Sequence, residues 1–146
     1  MENQIQTKQV SSRKLRICHI SDLHGRHEDV SIPECDVLIC SGDISMMGRR
    51  DELESFFSWF KRQPMATYKI LCAGNHDLTF DLQRGGNSGA RPDWLNSIIT
   101  DFRGFAGEYN NFYMENESCE IWGVKFWARG TAGDGTVTTN VSAAAA

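Results

Sequence analysis

The sequence predicts one α/β domain in which short parallel strands alternate with amphipathic helices. Three observations indicate this fold. Short apolar segments rich in Ile, Leu, Val and Cys recur in the first half of the chain, a helical pattern separates two of them, and each segment ends in a cluster of polar side chains. A strand, a helix and a strand in this order favour a parallel pair joined by a crossover connection. The 146 residues suffice for a single hydrophobic core.

The apolar segments have the length and composition of strands that are buried on both faces. They comprise residues 15–20, 36–40 and 68–72. Runs of this kind, without alternation of polar and apolar side chains, are typical of parallel sheets that are covered on both sides. We therefore expect three neighbouring parallel strands.

The first helix is predicted between the second and third strands. Asp51 and Glu54 have the spacing of a capping box, and Pro64 marks the end of the helical pattern. One face of this helix is apolar, which indicates core packing rather than a binding surface. Its apolar residues are Leu53, Phe56, Phe57 and Phe60.

The second helix is predicted after a glycine-containing loop at residues 81–91. Pro92 stands at a plausible first helical position, and the helix closes at Gly104. Apolar side chains recur between them at helical spacing, so this helix is also expected to pack on the core. These side chains are Trp94, Leu95, Ile98, Ile99 and Phe102.

The remaining segments complete the predicted domain organisation. Residues 111–114 and 119–127 have the composition of two or three further strands around short turns. Residues 1–12 form a polar extension, and residues 13–128 form the folded domain. Residues 129–146 have no apolar periodicity and end in four alanines, so we expect a disordered tail.

Composition restricts the classes of partner. A formal charge of −4 argues against duplex nucleic acid, because proteins that bind it usually carry a basic face. It does not argue against a phosphorylated small molecule or a nucleotide. No run approaches the roughly 18 apolar residues that span a membrane, and the polar start of the chain lacks the apolar centre of a signal peptide. We expect a cytoplasmic protein with no membrane partner.

The five cysteines are interpreted as reduced core residues. They form no CxxC pair, and four of them lie in or beside apolar runs. An odd number of such residues suits a reducing compartment. A cysteine-dependent phosphatase would need an arginine six positions after its cysteine, and no cysteine of this chain has one.

Polar side chains follow each of the three predicted parallel strands at the point where the strand ends. In open α/β sheets, ligands bind at the carboxyl ends of the strands. The three strand ends are therefore expected to bring one group of side chains together, namely Asp22, His24, Asp43, Asn75 and His76.

These residue types predict a metal site. Carboxylate and amide oxygens with imidazole nitrogen suit Mn²⁺, Fe or Zn²⁺. Asp22 and His24 are two residues apart in an extended segment, so both can bind one ion. Asp43 has two carboxylate oxygens with which to bridge two ions, and Asn75 brings a neutral oxygen to the second. Two ions roughly 3.5–4 Å apart would clamp a phosphate and activate a water molecule.

The residues around these donors are assigned further roles. His76 is expected to face the phosphate, where it would protonate the leaving oxygen or stabilise charge. Asp77 either orients His76 or holds the turn. Arg26 and His27 either contact a substrate phosphate or are solvated loop residues.

The three polar blocks together resemble a known family. D-L-H at 22–24, G-D at 42–43 and G-N-H-D at 74–77 resemble the signature blocks D-x-H, G-D and G-N-H-[DE] of the calcineurin-like metallophosphoesterases. The resemblance is closest to the metallophosphoesterase-domain branch related to cyclic-nucleotide phosphodiesterases, and it extends over roughly residues 15–128. Each block alone is a weak signal, whereas three in order at strand ends are a specific one.

The resemblance implies a four-layer α/β/β/α sandwich with a dinuclear metal centre. It also implies hydrolysis of phosphomonoesters or phosphodiesters. Carried over residue by residue, Asp22 and His24 would hold the first ion, Asp43 would bridge, Asn75 would hold the second ion, and His76 would be the catalytic histidine.

The chain departs from the family pattern after His76. The family has further histidines downstream, including a G-H-x-H block, whereas the four histidines here are at positions 19, 24, 27 and 76. The resemblance thus implies a domain truncated on its C-terminal side, with a weak second metal site. The alternative function is a catalytically impaired remnant that binds a metal ion or a partner. Uncovered sheet strands would then favour self-association.

Overall fold

The computed structural model describes residues 14–81, 90–107, 110–129 and 140–145, the last segment by its backbone alone. Its main sheet is parallel, with the strand order β1-β2-β3-β4. These strands are β1 (Ile17–Ile20), β2 (Cys35–Cys40), β3 (Ala66–Leu71) and β4 (Asn111–Tyr113).

The first three strands end level with one another. Ile20 is in register with Cys40, and Cys40 is in register with Leu71. Because the strands are parallel, the segments that follow them emerge at the same edge of the sheet. This register brings the three predicted polar blocks to one place.

A second sheet is antiparallel and packs on one face of the first. Its strands are β5 (Glu117–Ile121), β6 (Val124–Arg129) and β7 (Asn140–Ala145). Buried side chains from both sheets form one apolar core, in which Val37 and Ile70 of the parallel sheet meet Ile121 and Phe126 of the second. The prediction of two or three strands at 111–114 and 119–127 is confirmed with three, namely β4, β5 and β6.

Helices α1 (Arg50–Lys61) and α2 (Asp93–Gly104) cover the other face of the parallel sheet. Their apolar stripes enter a second core, where the aromatic rings of Phe60 and Phe102 lie 5.7 Å apart. A helical layer, a parallel sheet and an antiparallel sheet are thus stacked in the described part of the chain. This arrangement confirms the predicted α/β sandwich class.

Three details differ from the sequence-based expectations, and the first concerns β1. Its side chains alternate between exposed and half-buried, and Ile17 is 44% exposed. β1 has β2 as its neighbour on one side and lies at the edge of the described sheet. An edge position explains why the strand is not buried on both faces.

The second difference is at the start of α1, where the predicted capping box does not form. The helix begins at Arg50 with Arg49 as its N-cap residue, and no side chain caps it. Glu52 in the first turn instead accepts a hydrogen bond from the backbone N–H of Met46 at 2.8 Å. The helix start is therefore held by the loop that precedes it.

The third difference lies in the segment predicted to be a disordered tail. Within it, Asn140–Ala145 forms β7 and pairs with β6 along its length. Strand pairing uses backbone N–H and C=O groups, which every residue but proline has, so it needs no apolar periodicity. The other predicted boundaries, at residues 1–12 and 13–128, stay predictions, and residues 130–139 lie outside the described residues.

Candidate metal centre

Three predicted donor residues lie together at the carboxyl edge of the parallel sheet. One ligand atom from each of Asp22, His24 and Asp43 lies within 4.8 Å of the others. This spacing suits one shared cation. The structure thus brings together residues that are 21 positions apart in the sequence, and their role as ligands stays a prediction.

The backbone at these donors adopts an uncommon conformation. Asp22, His24 and Asp43 have φ angles of +57°, +46° and +52°, a region that costs energy for residues with a side chain. Backbone hydrogen bonds hold the first loop in place. The N–H of Asp22 donates to the backbone carbonyl oxygen of Gly42 at 3.1 Å, and that of His24 donates to the backbone carbonyl oxygen of Asp43 at 3.0 Å. The loops after β1 and β2 thus continue the pairing of these strands and bring their donor side chains to one place.

Two glycines allow the loops after β2 and β3 to touch. A Cβ atom on Gly74 would lie 2.2 Å from both the backbone nitrogen and Oδ1 of Asp43. One on Gly42, which has a φ of +109°, would lie 2.6 Å from the backbone nitrogen of Gly74. Only glycine permits such an approach. The glycines of the G-D and G-N-H-D blocks therefore create the space that Asp43 occupies.

The carboxylate of Asp43 is the centre of the cluster. Asp43 as a residue is 9% exposed, and its Oδ1 accepts the backbone N–H of His76 at 2.9 Å. With its NH₂ group turned to Asp43, the Asn75 amide donates to Oδ2 at 2.9 Å and to Oδ1 at 3.0 Å. A half-turn of the amide would present its carbonyl oxygen instead, which is the atom that ligates a cation. The side chains of Asp43 and Asn75 are thus in direct contact.

Two histidine rings flank this cluster. The rings of His24 and His76 are edge to face with their centroids 4.7 Å apart. Nε2 of His24 lies 3.9 Å from Oδ1 of Asp22, and its Nδ1 lies 3.4 Å from the carbonyl oxygen of Ser45. Nδ1 of His76 lies 2.9 Å from the carbonyl oxygen of Met46. His24 therefore directs Nε2 towards Asp22, as an ion held by both residues would require.

Asp77 holds the turn and does not contact the ring of His76. Its buried carboxylate accepts hydrogen bonds from the backbone N–H groups of Ile44, Ser45 and Gly74 at 3.2, 3.0 and 2.8 Å, and from the Ser45 hydroxyl at 2.6 Å. Burial raises the pKa of Asp77, and these four hydrogen bonds oppose that rise. Of its two predicted roles, the structure supports the holding of the turn.

His27 is part of the core, so both of its predicted roles are wrong. Its ring packs against Phe56 and Trp59 of α1, and its Nε2 lies 3.0 Å from the hydroxyl of Ser55. The short 3₁₀ turn at His27–Asp29 directs the ring inward, and burial lowers the pKa of His27. The neighbouring Arg26 is exposed and pairs with an aspartate in the same turn. A histidine among charged residues offered no sequence signal of burial.

The loop between β2 and α1 was missed as a functional element. Its backbone carbonyls contact both histidine rings, and the Asp77 carboxylate anchors it. The residue types at 44–48 suggest no chemistry by themselves. The one available signal was their position directly after a predicted metal ligand.

Comparison with known proteins identifies the family. The family model for calcineurin-like phosphoesterases matches residues 15–131, most of the chain. The chain belongs to the calcineurin-like phosphoesterase family. Membership supports a metal-dependent phosphoesterase kind of function, and the Asp22, His24 and Asp43 cluster agrees with the divalent metal ions that the family implies.

The chain matches curated relatives over only part of their length. A UPF0046 protein of Caenorhabditis elegans is 36% identical over 113 residues, which is 77% of this chain and 38% of that protein. Metallophosphoesterase domain-containing protein 1 of human and of mouse is 42% identical over 66 residues, which is 45% of this chain and 20% of that protein. The chain thus spans well under half of these relatives.

Two further observations concern the cysteines and the helices. All five cysteines are unpaired, and burial raises the pKa of the Cys72 thiol to about 12 and of the Cys119 thiol to about 11. Burial thus disfavours the reactive thiolate form of Cys72 and Cys119. In the described part of the chain, neither α1 nor α2 has the length and apolar character that crossing a bilayer requires.

Proposed function

We propose that this calcineurin-like phosphoesterase hydrolyses phosphomonoester or phosphodiester bonds with a dinuclear metal centre. The observation that supports the proposal is the set of ligand atoms from Asp22, His24 and Asp43 within 4.8 Å of one another, with the Asn75 amide against the same Asp43 carboxylate. Donors from three separate loops converge there, at the edge of a parallel sheet where ligands bind.

The donor set fits divalent ions that accept oxygen and nitrogen ligands. Asp22 and His24 would hold the first ion, Asp43 would bridge, and Asn75 would hold the second. Carboxylate, amide and imidazole donors suit Mn²⁺, Fe or Zn²⁺. The two carboxylates supply negative charge, which offsets the desolvation of the cations.

The residues of the chain have separate tasks in hydrolysis. When bound, two divalent ions would lower the pKa of a water molecule and stabilise the charge of the phosphate. His76 is exposed beside this cluster, and its Nδ1 is held by the carbonyl of Met46. Its Nε2 is therefore directed away from that loop, and in the imidazolium form it would donate a proton to the leaving oxygen.

The substrate class we propose is a phosphorylated small molecule or a nucleotide. Met46 and Met47 are 55% and 63% exposed, on the loop that contacts His76. Methionine side chains pack readily on apolar and aromatic groups, so an organic group on the phosphate would find a contact there. We propose neither duplex nucleic acid nor a membrane as a partner, and we place the protein in the cytoplasm.

A second candidate function is the binding of one ion without turnover. In the parts of the chain that the structure describes, a second ion would have Asp43 and Asn75 as its donors, whereas the first has two carboxylates and an imidazole. Two protein donors hold an ion weakly. A centre with a single ion would lack the clamp that dinuclear catalysis uses.

The deciding experiment measures bound metal and phosphodiesterase activity in Mn²⁺ on the same preparations. We expect turnover in the wild type, with one ion bound tightly and a second bound at higher Mn²⁺ concentration. Asp43→Asn should lose bound metal and activity together, whereas His76→Ala should retain metal and lose activity. Asp51→Asn is the matched control, because its carboxylate is exposed and pairs with Arg49, and it should change neither.

Two results would count against the proposal. Turnover that survives both Asp43→Asn and His76→Ala would show that another site or a contaminant is responsible. One tightly bound ion without turnover would favour the second candidate.

A further inference from the structure

One loop places a backbone carbonyl oxygen beside Nδ1 of both histidines of the candidate centre. The carbonyl oxygens of the consecutive residues Ser45 and Met46 lie 3.4 Å from Nδ1 of His24 and 2.9 Å from Nδ1 of His76. A carbonyl oxygen accepts hydrogen bonds and cannot donate them. Each neutral ring can donate to this oxygen only with its hydrogen on Nδ1, which leaves the lone pair on Nε2.

This tautomer is the one that the centre needs. Nε2 of His24 lies 3.9 Å from Oδ1 of Asp22, so its lone pair is directed to the place of a shared cation. Neutral imidazole in water favours the other tautomer, in which the hydrogen on Nε2 would block a metal bond. Hydrogen bonds at the far nitrogen are the usual means by which proteins select the tautomer of a ligating histidine.

The Ser45 hydroxyl holds the loop in place. Its Oγ donates to Oδ1 of Asp77 at 2.6 Å and accepts the backbone N–H of Gly48 at 2.9 Å. The backbone N–H of Ser45 donates to the same Asp77 oxygen at 3.0 Å. Ser45 is completely buried, so water cannot replace these bonds. Removal of the hydroxyl would release the loop at the residue whose carbonyl contacts His24.

We propose that Ser45 is a positioning residue that selects the Nδ1–H tautomer of His24 and His76. Ser45 lies outside the D-L-H, G-D and G-N-H-D blocks, and it acts through the two histidines rather than on the substrate. The effect on metal binding and turnover rests on the proposed function. The effect on the tautomers does not, because it follows from hydrogen bonds within the chain.

Nitrogen NMR of the histidine rings tests this role on the complete metal-free chain. At about pH 8, above the ordinary histidine pKa of about 6.5, both rings of the wild type should show hydrogen on Nδ1. Ser45→Ala should shift both towards the Nε2–H form and weaken the binding of Mn²⁺ about 10–100-fold, the usual loss for a residue that orients a ligand. Ser45→Thr retains a hydroxyl and should restore both properties.

The matched control is Ser55→Ala. It also removes a hydroxyl beside a histidine, since Ser55 Oγ lies 3.0 Å from Nε2 of His27, but it lies outside the loop. It should change the signals of His27 and leave His24 and His76 unaltered.

Two outcomes would overturn the positioning role. Hydrogen on Nε2 of His76 in the wild type would do so whether or not the variants fold. A folded Ser45→Ala protein with unchanged tautomers and unchanged Mn²⁺ affinity would do so as well. The expected tautomers in a chain that shows no turnover would support the role of Ser45 and count against the proposed function alone.

Discussion

The contact between Gly74 and Asp43 gives the sharpest test of the site geometry, through the substitution Gly74→Ala. The added Cβ would lie 2.2 Å from both the backbone nitrogen and Oδ1 of Asp43, whereas an ordinary contact needs at least 3.4 Å. Rotation of the Asp43 side chain would relieve one clash and leave the other, because the second partner is a backbone atom. The two loops must therefore separate by roughly 1.2 Å.

A shift of this size has two calculable consequences. Misplacement of a catalytic group by about 1 Å costs about 100-fold in activity, and we expect a loss of this order in Mn²⁺ affinity and turnover. Forcing a methyl group into a packed site costs about 1–3 kcal/mol of unfolding free energy. The φ of Gly74 lies outside the left-handed region, so backbone strain adds nothing and the effect is steric.

The assay combines urea unfolding with Mn²⁺ titration, and Gly104→Ala is the matched control. A Cβ on Gly104 meets no atom within 4 Å, so this variant should be equally stable or about 0.4–1 kcal/mol more stable than the wild type. A Gly74→Ala protein with the stability and Mn²⁺ affinity of the wild type would refute the close packing of the two loops on which the site depends.

Three further predictions concern stability and association. Asp77→Ala leaves three buried N–H groups and a hydroxyl without an acceptor. The unfolding free energy measured in urea should therefore fall by about 3 kcal/mol or more. A loss below about 1 kcal/mol would contradict the anchoring role. Burial lowers the pKa of His27. Below about pH 6.5, His27 therefore binds a proton more readily in the unfolded chain than in the folded chain, so the free energy of unfolding falls as the pH falls. His27→Gln should reduce this slope, and equal slopes in the two proteins would contradict the assignment. Trp127 is 50% exposed on the second sheet, and we expect self-association that Trp127→Lys reduces; a monomeric wild type on size-exclusion chromatography would contradict it.

The order and type of the elements could be predicted from the sequence. The apolar runs that precede Ser21, Ser41 and Ala73 predict strands, and the phenylalanine stripe of α1 predicts a helix that packs on the core. These patterns are local, because the side-chain repeat of a helix or strand is determined by its own backbone geometry. The type of site could also be predicted from the sequence, since carboxylate, amide and imidazole groups define the class of ligand without reference to a fold.

Tertiary structure decided which of these groups meet and how they are held. The inward direction of His27, the exposed face of β1 and the strand at Asn140–Ala145 all depend on neighbours distant in sequence. The carbonyls that orient His24 and His76 had no sequence signal, because every residue has a carbonyl and only the path of the loop determines what it contacts. The donors were therefore determined by the sequence, whereas their orientation was determined by packing.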